Sequence, residues 1–161
     1  MVGFVGGYSQ KDWTRDIKLA ASQGIDGFVS GRKPSRDRAH AKALNCDGGE
    51  ANTRHLGDAY AAAEDYNNQN TDAPFYLFIS ADFVHFSTED PKPLSAFLKP
   101  WLSKPAAYKV DGKPFVSTFL GQGTDWEAVA KTVGQELYVV PYYYASKKAA
   151  DTKGISGLFS W

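Results

Sequence analysis

Residues 75–82 read Phe-Tyr-Leu-Phe-Ile-Ser-Ala-Asp, a largely apolar run that ends at an acid. A strand with one face in water alternates apolar and polar residues, whereas this run does not alternate. Strands that are apolar on both faces are typical of parallel sheets covered by helices. The stretch therefore predicts a buried strand over residues 75–81 of an α/β protein, with Asp82 at its carboxyl end.

Five further runs rich in β-branched and aromatic residues share this character. They cover residues 2–6, 25–30, 115–119, 137–140 and 155–159. Helical patterns lie between them, and strict alternation of strands with helices predicts a parallel sheet. A complete eight-unit barrel typically needs about 250 residues, whereas this chain has 161. We therefore predict an α/β fold with a single domain over residues 1–161, in which a TIM barrel would stay incomplete, with about six parallel strands.

Local signals place the helix ends. Ser9 followed by Asp12 is an N-cap signal for a helix after the first strand. Thr124 and Glu127 have the spacing of a capping box for a later helix. Pro100 should kink or end the helix that contains it, because proline lacks the backbone donor that a helix interior needs.

The composition argues against several classes of function. Eighteen basic and eighteen acidic residues cancel, which argues against a nucleic-acid or anionic-lipid partner. No apolar run approaches the roughly 20 residues of a membrane span, and the amino terminus lacks the regions of a secretory leader. As the chain is written, we expect nothing to export it. Cys46 is the single cysteine, so an internal disulfide is excluded.

The segment 31–55 is a long insertion after the second predicted strand, and its first half is basic. The basic residues of this first half are Arg32, Lys33, Arg36, Arg38 and Lys42. Such a run is consistent with an anion-binding or RNA-binding patch, but a solvated loop explains it more simply. We interpret it as a surface loop.

Functional groups should gather at the carboxyl ends of the strands, where parallel α/β folds place their substrates. Asp82 is the principal candidate for catalysis, because an acid that ends an apolar strand must leave the core or be used at its edge. A capping role for its carboxylate is the alternative. His85, in the loop that follows, could assist at the site.

The other predicted strand ends carry mostly aromatic and hydroxyl side chains. They supply Tyr8, Ser30, Thr118, Leu120, Tyr142, Tyr143, Tyr144, Ser160 and Trp161. Flat rings and hydrogen-bonding groups suit the C–H faces and hydroxyl edges of sugars. Consecutive tyrosines on a strand cannot all face one site, so some of these rings should pack under loops instead. The pattern predicts a substrate-binding rim with Asp82 as its acid.

Motifs for other chemistry are missing from the sequence. It contains no glycine-rich dinucleotide or phosphate loop and no Gly-x-Ser-x-Gly elbow. The three histidines, His40, His55 and His85, lack the spacing of metal ligands. We therefore predict no metal and no cofactor.

Several fragments, in their order and spacing, resemble glycoside hydrolase family 71, the α-1,3-glucanases or mutanases. They include Asp12-Trp13, residues 24–28, Leu77-Phe78-Ile79-Ser80 with Asp82, residues 112–119 and residues 157–161. The resemblance implies an (α/β)₈ barrel and hydrolysis of α-1,3-glucan with inversion. It also implies a polysaccharide partner and a secreted or cell-wall location. Family members begin before the position of Met1 and continue past that of Trp161.

Two departures from the family pattern bear on catalysis. Relatives often read Ser-Thr-Phe-Glu-Gly where residues 117–121 read Ser-Thr-Phe-Leu-Gly, so Leu120 stands where a carboxylate is expected. Relatives also tend to end the second strand in Ala-Leu-Asn, whereas here it ends at Ser30. The resemblance implies an α-1,3-glucanase, and a non-catalytic glucan-binding relative or an inactive truncated fragment is the alternative. We expect no hydrolysis by this chain alone.

Overall fold

The computed structural model of the protein describes residues 7–30, 50–144 and 152–159. Its helices over these residues are α1 (Gln10–Ser22), α2 (Glu50–Gln69), α3 (Pro91–Leu102) and α4 (Trp126–Val133). Its strands there are β1 (Gly27–Ser30), β2 (Tyr76–Asp82), β3 (Lys109–Val110), β4 (Lys113–Phe119) and β5 (Tyr138–Tyr142). The predicted strand at residues 2–6, most of the basic insertion, Ser160 and Trp161 lie outside the described residues, as does the side chain of Ser30.

Four strands form a parallel sheet whose order, β1, β2, β4, β5, follows the chain. A helix precedes each later strand: α2 lies between β1 and β2, α3 between β2 and β4, and α4 between β4 and β5. The predicted α/β class, with a parallel sheet of alternating strands and helices, is confirmed.

One face of the sheet packs against the helices. On β2, the side chains of Leu77, Ile79 and Ala81 are at most 3% exposed, and Val116 and Val139 continue the buried surface on β4 and β5. The helices contribute large apolar side chains to the same core, among them Trp13, Ile17, Leu56, Tyr60, Leu98 and Trp126. Removal of this surface from water is the main favourable term in folding.

The opposite face of the sheet carries rings that remain partly exposed among the described residues. This surface, which we call the aromatic face, consists of Tyr76, Phe78, Phe115, Phe119, Tyr138 and Tyr142. Its rings pack across neighbouring strands, as where Phe78 meets Phe115 edge-on with ring centroids 4.7 Å apart. Because successive residues of a strand point to opposite faces, the aromatic face explains why β2 and β4 are apolar on both sides.

A short antiparallel strand, β3, corrects the sequence-based prediction. Asp111 and Gly112, with φ of 50° and 77°, form the two-residue turn between β3 and β4, a geometry that Asp-Gly favours. Just before β3, the Tyr108 N–H donates to the Leu77 carbonyl, so this segment lies between β2 and β4 near their amino ends. Direct pairing of β2 with β4 begins only at Ile79.

The predicted last strand, at residues 155–159, is wrong in extent. It contributes one isolated parallel bridge, between Phe159 and Tyr142. The Ser156 N–H also donates to the Val139 carbonyl at 2.7 Å, so the segment follows β5 without a continuous ladder. Over the described residues the parallel sheet therefore has four strands, in place of the six that were predicted for the whole chain.

The helix starts confirm one predicted cap and correct another. The Asp12 carboxylate accepts the backbone N–H and the hydroxyl of Ser9, at 3.0 and 2.8 Å, as the spacing predicts. The capping box predicted at Thr124 is wrong, because Asp125 is the N-cap of α4 and its carboxylate accepts the Ala128 N–H at 2.9 Å. The Thr124 hydroxyl instead donates back into the preceding loop.

The third helix contains Pro100 and continues to Leu102. The proline lies in the last turn and removes the hydrogen bond that its N–H would donate one turn back, but it does not end the helix there. Of the helices that the structure describes, none combines the length and the apolar character needed to cross a membrane.

Candidate functional site

The carboxyl end of β2 carries a buried acid. Asp82 is 3% exposed and, by strand alternation, lies on the side of the aromatic face rather than the helices. Its Oδ1 accepts the Val84 N–H at 3.0 Å, which is the capping interaction left open by the sequence. The register places Asp82 beside Phe119 and Phe119 beside Tyr142. One carboxylate and two rings therefore form a row across three neighbouring strand ends.

The backbone turns sharply after β4. Leu120 and Gly121 have φ of 64° and 95°, and a left-handed backbone costs a residue with a side chain about 1–2 kcal/mol. The Thr118 hydroxyl donates to the Leu120 carbonyl at 2.7 Å. Thr118 is fully buried and lies, by alternation, on the helix-covered face. Its hydroxyl therefore stabilises the turn, while the side chain of Leu120 is half-buried.

The three tyrosines at the end of β5 point in two directions. Tyr142 stacks on Phe119 with ring centroids 5.5 Å apart and 14° between the ring planes, and the exposed Tyr144 packs edge-on against Tyr142. Tyr143 is buried, and its hydroxyl accepts the Nε1–H of Trp126 at 3.0 Å. Burial raises the pKa of Tyr143, and the bond from Trp126 partly opposes that rise. Tyr142 and Tyr144 thus lie at the rim, whereas Tyr143 connects β5 to α4 through its hydrogen bond with Trp126.

Tyr8 is half-buried and contacts α1. Its hydroxyl donates to Asp16 Oδ2 at 2.8 Å, and its ring packs edge-on against Trp13 with centroids 5.4 Å apart. The hydrogen bond to Asp16 is the main reason that the pKa of the Tyr8 phenol is raised. The ring is therefore held in one orientation, but these contacts do not connect it to Asp82.

His85 contributes to a different part of the surface. Together with Thr53, Phe86, Phe97 and Trp101 it lines a cavity of about 470 Å³ between α2 and α3. This cavity lies among the helices, and Asp82 is not among its lining residues. The backbone N–H of His85 donates to the Asp82 carbonyl at 3.0 Å. The structure therefore brings the two residues together through the backbone, while their side chains occupy different surroundings.

The interpretation of residues 31–55 as a surface loop is wrong at its end, because residues 50–55 belong to α2 and His55 is only 3% exposed. Burial and the neighbouring Arg54 lower the pKa of its imidazole, against smaller opposing effects of Asp58 and of a hydrogen bond with the Tyr8 backbone. Its Nδ1 has no hydrogen-bond partner among the described residues. Helical spacing could have predicted its burial, because His55 lies one helical turn before the buried Ala59.

A contact between the ends of β2 and β4 was also missed. Phe83 directly follows Asp82, and its backbone N–H donates to the Phe119 carbonyl at 3.0 Å. Its ring packs edge-on against Trp126 with centroids 6.3 Å apart. No local pattern predicts this contact, because the residues that form it are distant in sequence.

Two further features of the described residues concern metal binding and a second cavity. Within residues 7–30, 50–144 and 152–159, no group of three His, Cys, Asp or Glu side chains is placed to hold a metal ion. Another cavity, of about 270 Å³, is lined by Asp26, Gly27, Tyr76, Phe78 and Tyr108. It opens at the amino ends of β1 and β2, whereas parallel α/β folds place chemistry at the carboxyl ends.

Comparison with known proteins gives the family and several relatives. The sequence model of glycosyl hydrolase family 71 matches residues 1–161. A mutanase of Penicillium rubens is 32% identical over 164 residues, which cover 100% of this chain and 32% of the mutanase. The glucan endo-1,3-alpha-glucosidase agn1 of Schizosaccharomyces pombe is 29% identical over 175 residues, covering 100% of this chain and 37% of that protein.

An ascus wall endo-1,3-alpha-glucanase of the same yeast is 26% identical over 99% of this chain and 31% of its own length. The chain thus spans about a third of the length of the curated relatives it matches. No solved structure gives a significant match. Because the family match covers the whole chain, and the alternating α/β sheet agrees with the fold that the resemblance implied, the protein belongs to glycosyl hydrolase family 71, the mutanases and α-1,3-glucanases.

Proposed function

We propose that this protein acts on α-1,3-glucan as part of an inverting glycoside hydrolase, with Asp82 as a catalytic carboxylate. The observation that carries the proposal is the row formed by Asp82, Phe119 and Tyr142 at the carboxyl ends of three parallel strands. A buried acid beside stacked rings can act on a glycosidic bond while the rings bind the apolar faces of the sugar.

Inverting hydrolysis needs two carboxyl groups about 6.5–9.5 Å apart. One protonates the leaving oxygen, and the other activates a water molecule on the opposite face of the sugar. Asp82 supplies one of these groups in our proposal. The resemblance to the family would place a second carboxylate at position 120, where this chain has Leu120.

The proposed sugar contacts have unequal support. Tyr142 and Tyr144 are the best supported, because their rings lie at the same end of the sheet as Asp82 and Tyr144 is 61% exposed. The hydroxyl of Thr118 already serves the turn after β4, so its contribution would be indirect. The remaining proposed contacts are Tyr8, Ser30, His85, Leu120 and Trp161.

We extend the fold proposal in the same way. A parallel sheet in chain order, with helices against one face, has the arrangement expected of an arc of a (β/α) barrel. The aromatic face would then belong to the barrel interior, and residues 1–161 would form a single partial barrel domain. We also propose the secreted or cell-wall location implied by the family, with a polysaccharide as the partner and without a cofactor.

A second function, glucan binding without hydrolysis, is favoured by one observation. Leu120 directly follows β4, in a turn that the Thr118 hydroxyl stabilises, and it stands where the resemblance implies a second carboxylate. A single carboxylate cannot both protonate the leaving oxygen and activate the water. We therefore expect the 161-residue chain to bind α-1,3-glucan without measurable hydrolysis.

Incubation of the purified chain with insoluble α-1,3-glucan tests both functions. We expect the chain to co-sediment with this glucan, to release no reducing ends, and to bind cellulose poorly. Tyr142→Ala should weaken co-sedimentation, whereas Tyr138→Ala, at the other end of β5, should weaken it less. Failure to co-sediment would contradict the proposal, and reducing-end release that Asp82→Asn abolishes would show that the chain is an enzyme by itself.

A further inference from the structure

The loop after β4 contains two glycines with nearly the same backbone and different surroundings. Gly121 and Gly123 have φ of 95° and 93°. A Cβ at Gly121 would approach the ring of Phe83 to 2.6 Å, whereas a Cβ at Gly123 would meet nothing within 4 Å. Both positions favour glycine for their left-handed backbone, but only Gly121 also makes room for a ring.

The ring that occupies this space belongs to the residue after the proposed catalytic acid. Phe83 is fixed by its backbone bond to Phe119 and by its edge-on contacts with Trp126 and Phe86. The next residue along, Val84, donates its N–H to Asp82 Oδ1 at 3.0 Å. Movement of the Phe83 ring would therefore alter the backbone on which the Asp82 carboxylate depends.

Trp126 is itself tied to the end of β5. Its Nε1–H donates to the Tyr143 hydroxyl at 3.0 Å, and both side chains are buried. The contact of Phe83 with Gly121 and Trp126 therefore connects the ends of β2, β4 and β5. Connections of this kind fix the geometry of a site more firmly than a single loop can.

We propose that Gly121 and Phe83 are positioning residues that set the orientation of Asp82. The role of that orientation in catalysis rests on the function proposed above. Phe83 transmits the position of the β4 loop to β2, and Gly121 permits the close approach of the ring. Small displacements of a catalytic group have large consequences, because a misplacement of about 1 Å can lower a rate by roughly 100-fold.

The test compares Gly121→Ala with Gly123→Ala in the full chain. Both variants place a side chain on the same left-handed backbone, so that cost is matched. By NMR, we expect Gly121→Ala to shift the Val84 amide resonance and to speed its hydrogen exchange about tenfold, the change expected when one hydrogen bond is lost. Gly123→Ala should leave both quantities at their original values. Equal effects of the two variants would overturn the proposal.

A double-mutant cycle tests whether Phe83 transmits the effect. Phe83→Ala deletes the ring atoms that the new Cβ would meet, so adding Gly121→Ala to it should change the Val84 amide no further. If Gly121→Ala still acts fully without the ring, the proposal is wrong. Phe83→Ala alone should also speed Val84 exchange, whereas Phe75→Ala, which removes a buried ring that packs on Phe28 and Tyr66, should not. This comparison decides the question even if Gly121→Ala fails to fold.

The affinity of the same variants for soluble α-1,3-glucan oligosaccharides gives a separate readout. We expect both alanine variants to keep the affinity of the original chain, because the orientation of Asp82 is proposed to serve catalysis rather than binding. If the original chain binds no glucan, the proposed function fails while the Val84 measurements still decide the positioning role. If glucan binds but Val84 responds equally to both alanine variants, the function stands and the positioning role is refuted.

Discussion

The neighbouring strands β2 and β4 reach the same edge of the sheet and end in different ways. β2 ends at Asp82, whose carboxylate accepts one backbone amide and faces the aromatic row. β4 runs into a left-handed turn at Leu120, and the nearby Thr118 hydroxyl is used to stabilise that turn. The proposed catalytic carboxylate therefore lies on β2, while β4 mainly determines the shape of the edge.

The most damaging change should be Asp82→Asn in a chimaera with working catalysis. We would replace the matching third of the Penicillium rubens mutanase with this chain and introduce Leu120→Glu, which the half-buried site should tolerate and which should restore hydrolysis. Loss of the Asp82 acid or base should then lower kcat about 10²–10⁴-fold, with glucan affinity retained. Reducing-end release measures the rate.

Asp90→Asn is the control for this substitution. Asp90 caps α3 by accepting the Lys92 N–H, and an asparagine can make the same bond. Equal rate losses for the two variants would indicate that Asp82 acts on stability rather than on chemistry. A chimaera that is inactive before Asp82 is changed would argue against position 120 as the second carboxylate.

The next largest effect is expected at the end of β5, where loss of a buried hydrogen bond should lower the free energy of unfolding. Tyr143→Phe leaves the Trp126 Nε1–H buried without its acceptor, and an unsatisfied buried donor costs about 1–3 kcal/mol. Tyr144→Phe changes an exposed side chain and should alter stability little. Urea unfolding of both variants measures the difference, and equal stabilities would show that the Trp126 bond contributes nothing at this strand end.

At Leu120 a glycine variant should be more stable than an alanine variant, which reverses the order that is usual in helices. The left-handed backbone there favours Leu120→Gly over Leu120→Ala by about 1 kcal/mol. At Lys131, an exposed position in α4, alanine should instead be favoured by about 0.8–1 kcal/mol. The free energies of unfolding of the four variants provide the test. The same order at both positions would contradict the left-handed turn.

A smaller effect, which depends on pH, is expected at His55, which forms a hydrogen bond with the Tyr8 backbone. The pKa of His55 is lowered in the folded state, so the unfolded chain binds its proton first as the pH falls below about 6.5. Stability should therefore be complete above that pH and decline below it. Thermal unfolding between about pH 6.5 and 5 should show this decline in the original chain. His55→Gln should reduce the decline, whereas the exposed His85→Gln should retain it.

Features determined by local sequence were predicted best. The run at residues 75–82 identified β2 because apolar residues on both faces are visible in the sequence itself. β3 was missed despite the Asp111-Gly112 turn signal, because Lys109–Val110 is too short to show a strand pattern. The cap of α4 was placed one residue early, since Thr124 and Asp125 are both good caps and only the folded loop occupies the threonine hydroxyl.

The candidate site, too, was predicted from the sequence only in part. The position of Asp82 at a strand end followed from the sequence, whereas its bond to Val84 and the direction of its side chain depend on the folded loop. Alternation along the strand separated Tyr143 from Tyr142 and Tyr144, as the sequence implied. The contact of Phe83 with Gly121 could not be anticipated, because it depends on two loops that meet only when β2 and β4 pair.

The strand order β1, β2, β4, β5 also bears on how the chain is made. A ribosome releases these strands in the order in which they stand in the sheet, so each new strand meets an edge that already exists. At roughly 5–20 residues per second, each strand and its preceding helix emerge over a few seconds, which exceeds the time needed for a helix or hairpin to form. The sheet can therefore grow by one edge at a time during translation, with β3 and β4 joining as a preformed hairpin.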